Sequence, residues 1–209
     1  MPVTTIDLRE PVTDEPLLDE PGARILDATM TCLTRFGFAK TTIDDVAREA
    51  GCSRATVYRY FANRNALVVA AVDRELAVLT DAITTAAAAA DTLEDAIVAM
   101  FVTAARRITA HAALQRALEL EPEVVLPSLS FEGGDRLFAE ATERFAPVFA
   151  RFLPPDRAPR AAGWCTRVLL AYLHPDRSPL SMTDDESVRA LVRRHVIPAV
   201  SLHSTSPTR

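Results

Sequence analysis

The segment GCSRATVYRYF, residues 51–61, combines side-chain types that can bind nucleic acid. On a helical wheel, Ala55, Thr56 and Arg59 point to one side, whereas Val57 and Phe61 share the opposite side. A small residue lets a helix approach the major groove. Arginine can donate two hydrogen bonds to guanine O6 and N7, and threonine can bond a base edge or touch a thymine methyl. The pattern predicts a helix that contacts base edges.

The edges of that side carry groups suited to phosphate. Tyr58 and Tyr60 place hydroxyls on the flanks, and Arg64 adds a cation beyond them. The helix would approach DNA by its N-terminal end, near Ser53 and Arg54, where backbone N–H groups face the anionic strand. The alternative is an ordinary amphipathic helix with a solvated polar side, which leaves the paired tyrosines unexplained.

Charge is distributed unevenly along the 209 residues, whose formal net charge is −5. Residues 1–20 hold one arginine and six acids, whereas residues 21–70 hold seven Lys or Arg and four acids. A locally basic segment in an acidic chain fits a partner with a phosphate backbone. We expect residues 1–20, which contain three prolines, to form a disordered acidic arm.

Helical signals surround the segment. Thr42, Ser53 and Asn63 are suited to cap the N-termini of a second, third and fourth helix, while Gly37 and Gly51 end the first and second. Two short helices joined by about three residues that include glycine form a helix-turn-helix. Because apolar residues keep helical spacing and no long β-type alternation occurs, we predict an all-α fold of about nine helices.

The predicted domains are residues 21–66, a three-helix helix-turn-helix domain, and residues 67–209, a C-terminal helical domain. Within the second we expect a break between about 119 and 134, where two prolines and two glycines fall. Pro147 should kink the following helix, and the last helix should stop near Pro198.

Residues 25–72 resemble the DNA-binding domain of TetR-family transcriptional regulators. The matching motifs occur in order: an apolar first helix ending in FG, then TTIDDVAREAG, SRATVYRYF, and a basic residue before AL. The resemblance implies that Thr56 and either Arg54 or Arg59 contact base edges, and that Thr42, Tyr58, Tyr60 and Arg64 contact phosphates. Arg64 stands where the family usually has lysine, so the charge is kept but the contact geometry can differ.

The resemblance also implies a small-molecule site in the C-terminal domain. Aromatic and apolar residues there, with one of two polar anchors, are candidates for its lining: Phe101, Leu118, Phe131, Phe138, Phe145, Phe149 and Trp164, with His111 or Arg167 as the anchor. Aromatics at helical spacing are more often core, so both interpretations stay open. The richness in Phe, Leu, Val and Ala suggests an apolar effector, of fatty-acyl or terpenoid-like type.

Members of this family usually dimerise through their last two helices. The helix containing AAGWCTRVLLAYLH is apolar on almost all sides, so it needs a second partner, and we expect a four-helix bundle with DDESVRALVRRHVIPAV. Arg167, Arg193 and Arg194 are then also candidates for interface ion pairs.

Several classes of function are disfavoured. The four histidines lack metal-ligand spacing, and the chain has no nucleophile elbow, P-loop or dinucleotide fingerprint, so we expect no metal, no cofactor and no enzymatic activity. Three scattered cysteines and no apolar run of about 20 residues indicate a reduced, cytoplasmic protein outside membranes.

We therefore predict a homodimeric repressor released from a pseudo-palindromic duplex operator by a small apolar effector. The alternative is a helical small-molecule sensor that keeps the N-terminal domain without recognising an operator.

Overall fold

The structure, a computed structural model, describes residues 19–129, 135–172 and 182–201. These residues contain helices and no β-strand, which confirms the predicted all-α class. The helices are α1 (Glu20–Phe36), α2 (Ile43–Glu49), α3 (Arg54–Tyr60), α4 (Arg64–Ala88), α5 (Leu93–Ala110), α6 (Ala112–Leu120), α7 (Pro122–Leu129), α8 (Asp135–Phe149), α9 (Ala158–Tyr172), α10 (Asp185–Leu191) and α11 (Ile197–Ser201).

The chain folds into two compact units, each built from two segments of the sequence. Unit 1 contains α1 to α3, the part of α4 up to Ala77, and α6 and α7. Unit 2 contains α4 from Val78 onward, α5, and α8 to α11. Most of the predicted acidic arm, residues 1–18, and the candidate pocket residue Phe131 lie outside the described residues.

In unit 1, the helices begin at the residues whose types predict a cap. The Thr42 hydroxyl accepts a hydrogen bond from Asp45 N, the Ser53 hydroxyl accepts one from Thr56 N, and Asn63 Oδ1 accepts one from Ala66 N at 2.8 Å. Each cap satisfies a backbone N–H that the first turn of a helix leaves without a partner. Apolar residues of α1 to α4 then form one core: Ile25, Leu26, Ala28, Cys32, Ile43, Val46, Ala47, Ala50, Val57, Phe61, Leu67 and Ala71.

A second apolar cluster of unit 1 brings α6 and α7 against α1 and α4. Leu33, Phe38 and Val68 pack there with Ala117 of α6 and Val125 of α7. This cluster explains why two helices that follow α5 in sequence belong to the same unit as the helix-turn-helix.

Unit 2 is organised around a continuous apolar core. Phe101 and Ile97 of α5 and Phe149 of α8 are fully buried, and α9 and α10 contribute Ala162 and Val188. Among the described residues, no single helix is long and apolar enough to cross a membrane. Two consecutive helices joined by a bend, Leu93–Ala110 and Ala112–Leu120, reach the length and apolar composition of a membrane span only when they are counted as one.

Two boundary predictions were wrong. The expected break after residue 119 contains α7, because Pro122 occupies a first-turn position, where a helix needs no backbone N–H from it. The last helix also continues past Pro198 to Ser201. A π-helical turn at Val192–Val196 precedes α11, so Pro198 falls in the first turn of a new α-helical segment.

Ion pairs reinforce unit 2 by joining the start of α5 to α10 and to the π-helical turn that follows α10. Arg193 donates to Glu94 at 2.8 Å, and Arg189 donates to Asp95 at 2.6 Å and to Glu94 at 3.2 Å. These hydrogen bonds, that from Arg193 most strongly, hold the pKa of Glu94 below its ordinary value of 4.5. Its charge therefore favours the folded state above that pH, and this contribution is lost as the pH falls through the lower folded-state pKa.

We predict that Glu94→Gln lowers the free energy of unfolding at neutral pH, and that this loss disappears under acid conditions. Urea unfolding at pH 7 should show the variant to be less stable, and the difference should shrink as the pH is lowered below about 4.5. Glu143→Gln, which removes an exposed carboxylate on α8, is the matched control and should show a smaller difference at pH 7. A Glu94→Gln deficit that stays constant down to pH 3 would contradict the assignment.

Candidate nucleic-acid interface

Helix α3 turns one side into the core of unit 1 and leaves the other exposed. Val57 is 0% exposed, whereas Ala55 and Arg59 are exposed and Tyr58 is 47% exposed. Thr56 is half-buried. The predicted division of the helix into an inward and an outward side is therefore present, and the outward side carries the small, hydroxyl and cationic groups that can contact base edges.

The first turn of α3 is organised by its own hydroxyls. Ser53 Oγ accepts from Thr56 N at 3.1 Å and lies 3.0 Å from Thr56 Oγ1. Ser53 is thus first of all the cap of this helix, and its oxygen is already used in the absence of DNA.

Both candidate base-contacting arginines have partners on the surface. Arg54 pairs with Asp44 of α2 at 3.0 Å, with both side chains more than half exposed. The Arg59 guanidinium lies 5.2 Å from the centre of the Tyr60 ring. Exposed ion pairs contribute little stability, so Arg54 can exchange Asp44 for DNA at small cost. The choice between the two arginines stays open.

Thr42 lies at the N-terminus of α2 in a capping box. Its hydroxyl donates to Asp45 Oδ2 at 2.5 Å, and Asp45 Oδ2 also accepts from Thr42 N at 3.2 Å. The hydrogen bond from the Thr42 hydroxyl holds the pKa of Asp45 below its ordinary value. The hydroxyl is exposed but oriented by the cap, so a phosphate would compete with Asp45 for it.

The two tyrosines of α3 have different surroundings. Tyr60 donates its hydroxyl to Asp19 Oδ2 at 2.7 Å, and this bond is the main reason that the pKa of Asp19 is lowered. Asp19 also caps α1 by accepting from Gly22 N. Tyr60 therefore links α3 to the start of α1, whereas Tyr58 is the more exposed hydroxyl.

Arg64, a predicted phosphate contact, lies against the turn between α1 and α2. Its guanidinium is partly buried and donates to the backbone carbonyls of Phe38 and Thr41, between α1 and α2. Burial lowers the pKa of this guanidinium. Because its donors are directed at the backbone, Arg64 acts in this structure as an internal group of unit 1 instead of a free surface cation.

The comparisons with known proteins agree with this geometry. Residues 25–71 match the family model described as bacterial regulatory proteins of the tetR family. An uncharacterised HTH-type transcriptional regulator of Mycobacterium tuberculosis is 32% identical over 184 residues, which cover 85% of this chain and 84% of the relative. The chain belongs to the TetR family. It is accordingly a DNA-binding transcriptional regulator, in a family whose members are not enzymes.

Solved structures show the same fold at lower sequence identity. The TetR-family repressor AlkX from Dietzia, implicated in biodegradation of n-alkanes, has a TM-score of 0.67 at 22% identity and covers 90% of this chain and 98% of its own. The fatty acid degradation regulator FadR from Bacillus halodurans has a TM-score of 0.56 at 16% identity, covering 85% of this chain and 96% of its own.

The candidate ligand-binding residues fall in both units. His111 and Leu118 belong to unit 1, where His111 caps α6 and its Nε2 lies 3.4 Å from Glu75 Oε2. The other candidates that the structure describes belong to unit 2. Of these, Trp164 of α9 is 46% exposed. Three others are core residues with 0 to 3% exposure: Phe101, Phe145 and Phe149.

Two further candidates, Phe138 and Arg167, line an open groove of about 780 Å³ between α8 and α9. The Arg167 guanidinium lies 4.9 Å from the centre of the Phe138 ring. Thr142, Ala146 and Pro159 contribute to its walls. No cluster of His, Cys, Asp and Glu that could hold a metal ion occurs in the described part of the chain.

We predict that Arg59→Ala and Tyr58→Phe have different effects on DNA binding. Loss of a base-contacting arginine should cost about tenfold in affinity and reduce discrimination between the preferred duplex and a scrambled one. Loss of a phosphate-contacting hydroxyl should weaken both duplexes by a similar factor, about threefold. Fluorescence anisotropy on the two duplexes measures both effects. An unchanged affinity ratio for Arg59→Ala would remove that side chain from the base-contacting set.

Proposed function

We propose that this TetR-family protein is a homodimeric repressor whose two copies of α3 enter successive major grooves of a pseudo-palindromic operator. The observation that carries the proposal is the exposed side of α3, where Ala55, Thr56 and Arg59 lie together above a fully buried Val57. Half-sites of such a duplex would be separated by about one helical turn or more. Thr42, Tyr58 and Tyr60 are the proposed phosphate contacts.

Affinity for phosphate also requires that acids near α3 be neutralised. Asp44 is paired with Arg54, and Asp45 is held by Thr42 and Arg48. These pairs keep the acids of α2 from presenting free charge beside α3.

The proposed dimer uses α9 with the last helix, α10 and α11. Trp164 is the exposed large apolar side chain on α9, and arginines at 160 and 167 share its exposed side. Partly exposed tryptophan and arginine are the side chains most enriched where protein interfaces concentrate their binding energy. This supports burial of Trp164 against a second copy.

The proposed effector is a small apolar molecule with a fatty-acyl chain. The support is the apolar composition of unit 2 and the groove between α8 and α9, which offers Arg167 as a cation for a terminal carboxylate or phosphate. Two proteins of the same fold are named for n-alkane and fatty acid degradation, which makes acyl compounds the first ligands to test. The effector would reduce DNA affinity by its differential affinity for the two protein states and no more.

A selection experiment distinguishes the proposed repressor from the rival function, a helical sensor without operator recognition. Duplexes selected by the wild-type protein from a randomised pool should converge on an inverted repeat. Binding should require two subunits and should weaken by at least about tenfold between 50 and 200 mM salt, because phosphate contacts release counterions. Addition of fatty acids or acyl-CoAs should then release the DNA. Failure of the pool to converge at any salt concentration would favour the sensor.

We predict that Trp164→Glu weakens the dimer by about tenfold or more, because a charge replaces an apolar side chain in the proposed interface. Analytical ultracentrifugation measures the change, and operator affinity should fall with it at low protein concentration. Leu120→Glu is the matched control, since Leu120 is a 53% exposed apolar residue of unit 1. Equal sedimentation of wild type and Trp164→Glu would contradict this interface.

A further inference from the structure

The turn between α1 and α2, residues 37–41, is held by two charged side chains from distant parts of unit 1. Gly37 opens the turn with φ +82°, a conformation that side-chain-bearing residues rarely adopt. Its N–H continues the hydrogen bonding of α1 by donating to Leu33 O at 2.9 Å, and its carbonyl accepts from the Thr41 hydroxyl at 2.7 Å. The next backbone groups find their partners outside the turn.

Glu121, the C-cap residue of α6, binds the N–H groups of the turn. Its carboxylate accepts from Phe38 N at 2.5 Å through one oxygen and from Ala39 N at 2.9 Å through the other. The approach is so close that a Cβ on Gly37 would lie 2.9 Å from Glu121 Oε2. Glycine is therefore favoured at position 37 for two reasons, the backbone angle and the space that the Glu121 carboxylate occupies.

Arg64, at the start of α4, binds the carbonyl groups of the same turn. It donates to Phe38 O through one nitrogen and to Thr41 O through Nε. Burial of the guanidinium lowers its pKa, and the negative charge of Glu121 acts in the opposite direction. Phe38 is thus bound on both sides, its N–H by the acid and its C=O by the base. We name this pair of residues the turn clamp.

The clamped turn ends where the proposed DNA contacts begin. Thr41 O is held by Arg64, and the next residue, Thr42, is the N-cap of α2. Helix α2 has only seven residues, so its position depends on its packing in the unit 1 core and on the turn that precedes it. We infer that Glu121 is a positioning residue for operator binding: with Arg64 it fixes the turn that places Thr42 and α2 against the DNA backbone. This inference rests on the proposed operator binding.

Simple electrostatics predicts the opposite effect of Glu121. A carboxylate in a DNA-binding unit repels phosphate, so its replacement by glutamine should raise affinity for any duplex slightly. A positioning role predicts that operator affinity falls, because glutamine offers one amide oxygen where the turn has two N–H donors, and its NH₂ group cannot accept the second. The sign of the change therefore separates the two roles.

The test compares Glu121→Gln with Glu119→Gln. The control removes the same charge from an exposed residue of the same helix, α6, two positions away. Each variant is titrated by anisotropy, well below its melting temperature, with the duplex selected by the wild-type protein and with a scrambled duplex of equal length. Amide hydrogen exchange of the free proteins reports Phe38 N–H and Ala39 N–H directly.

We expect Glu121→Gln to lose about tenfold in operator affinity, to lose affinity for the scrambled duplex as well because Thr42 contacts phosphate, and to exchange both amides about tenfold faster. Glu119→Gln should keep operator affinity and slow exchange of both amides. Operator affinity of Glu121→Gln that equals or exceeds that of the control would overturn the inference, as would a loss of affinity with unchanged exchange of both amides.

The exchange measurement keeps this test separate from that of the proposed function. If the wild-type protein selects no sequence, operator recognition fails, and the exchange rates of the two amides alone decide whether Glu121 holds the turn. Unchanged rates would then overturn the clamp as well.

Discussion

A seven-residue helix cannot hold its shape alone in water, and the DNA-binding side of this protein depends on how that limitation is met. Forming the first turn of a helix costs more than so short a segment recovers from its own hydrogen bonds. Helix α3 is therefore held by burial of Val57 and the adjacent Phe61, with Ser53 as its cap. Because so few residues anchor it, most of its surface stays available to a partner. Stability and recognition are divided between opposite sides of one short helix.

The exposed polar residues around α3 are already paired before DNA arrives. Arg54 with Asp44, Thr42 with Asp45, and Tyr60 with Asp19 all lie at the surface. Such pairs orient the side chains yet contribute little stability, so exchanging them for phosphates costs little. Arg64 belongs to a different class, because its carbonyl partners would lose their hydrogen bonds in a partly buried turn. Its position in the chain suggests a DNA contact, whereas its surroundings make it part of the framework.

The sequence predicted features that depend on neighbouring residues and missed those that depend on distant ones. Thr42, Ser53 and Asn63 act within three residues of themselves, and all three were confirmed as caps. The contact from Glu121 to Phe38 spans 83 residues, and the one from Tyr60 to Asp19 spans 41. No local pattern identifies such pairs. The α1–α2 turn does carry one signal, a glycine, but that signal has two causes here and the sequence reveals only the conformational one.

A small-molecule site is harder to predict than a DNA-binding helix for a physical reason. A cavity is the volume that packing leaves unfilled, so it is a property of many side chains together and not of any residue type. Phe101 and Phe149 have the same chemistry as a pocket lining, yet they fill the core of unit 2, while Phe138 lies at an open groove. Periodicity gives all three the same inward direction. What separates them is their neighbours: Phe101 and Phe149 belong to the apolar core of unit 2, whereas Phe138 lines the groove beside the Arg167 guanidinium. A helical wheel does not contain such neighbours.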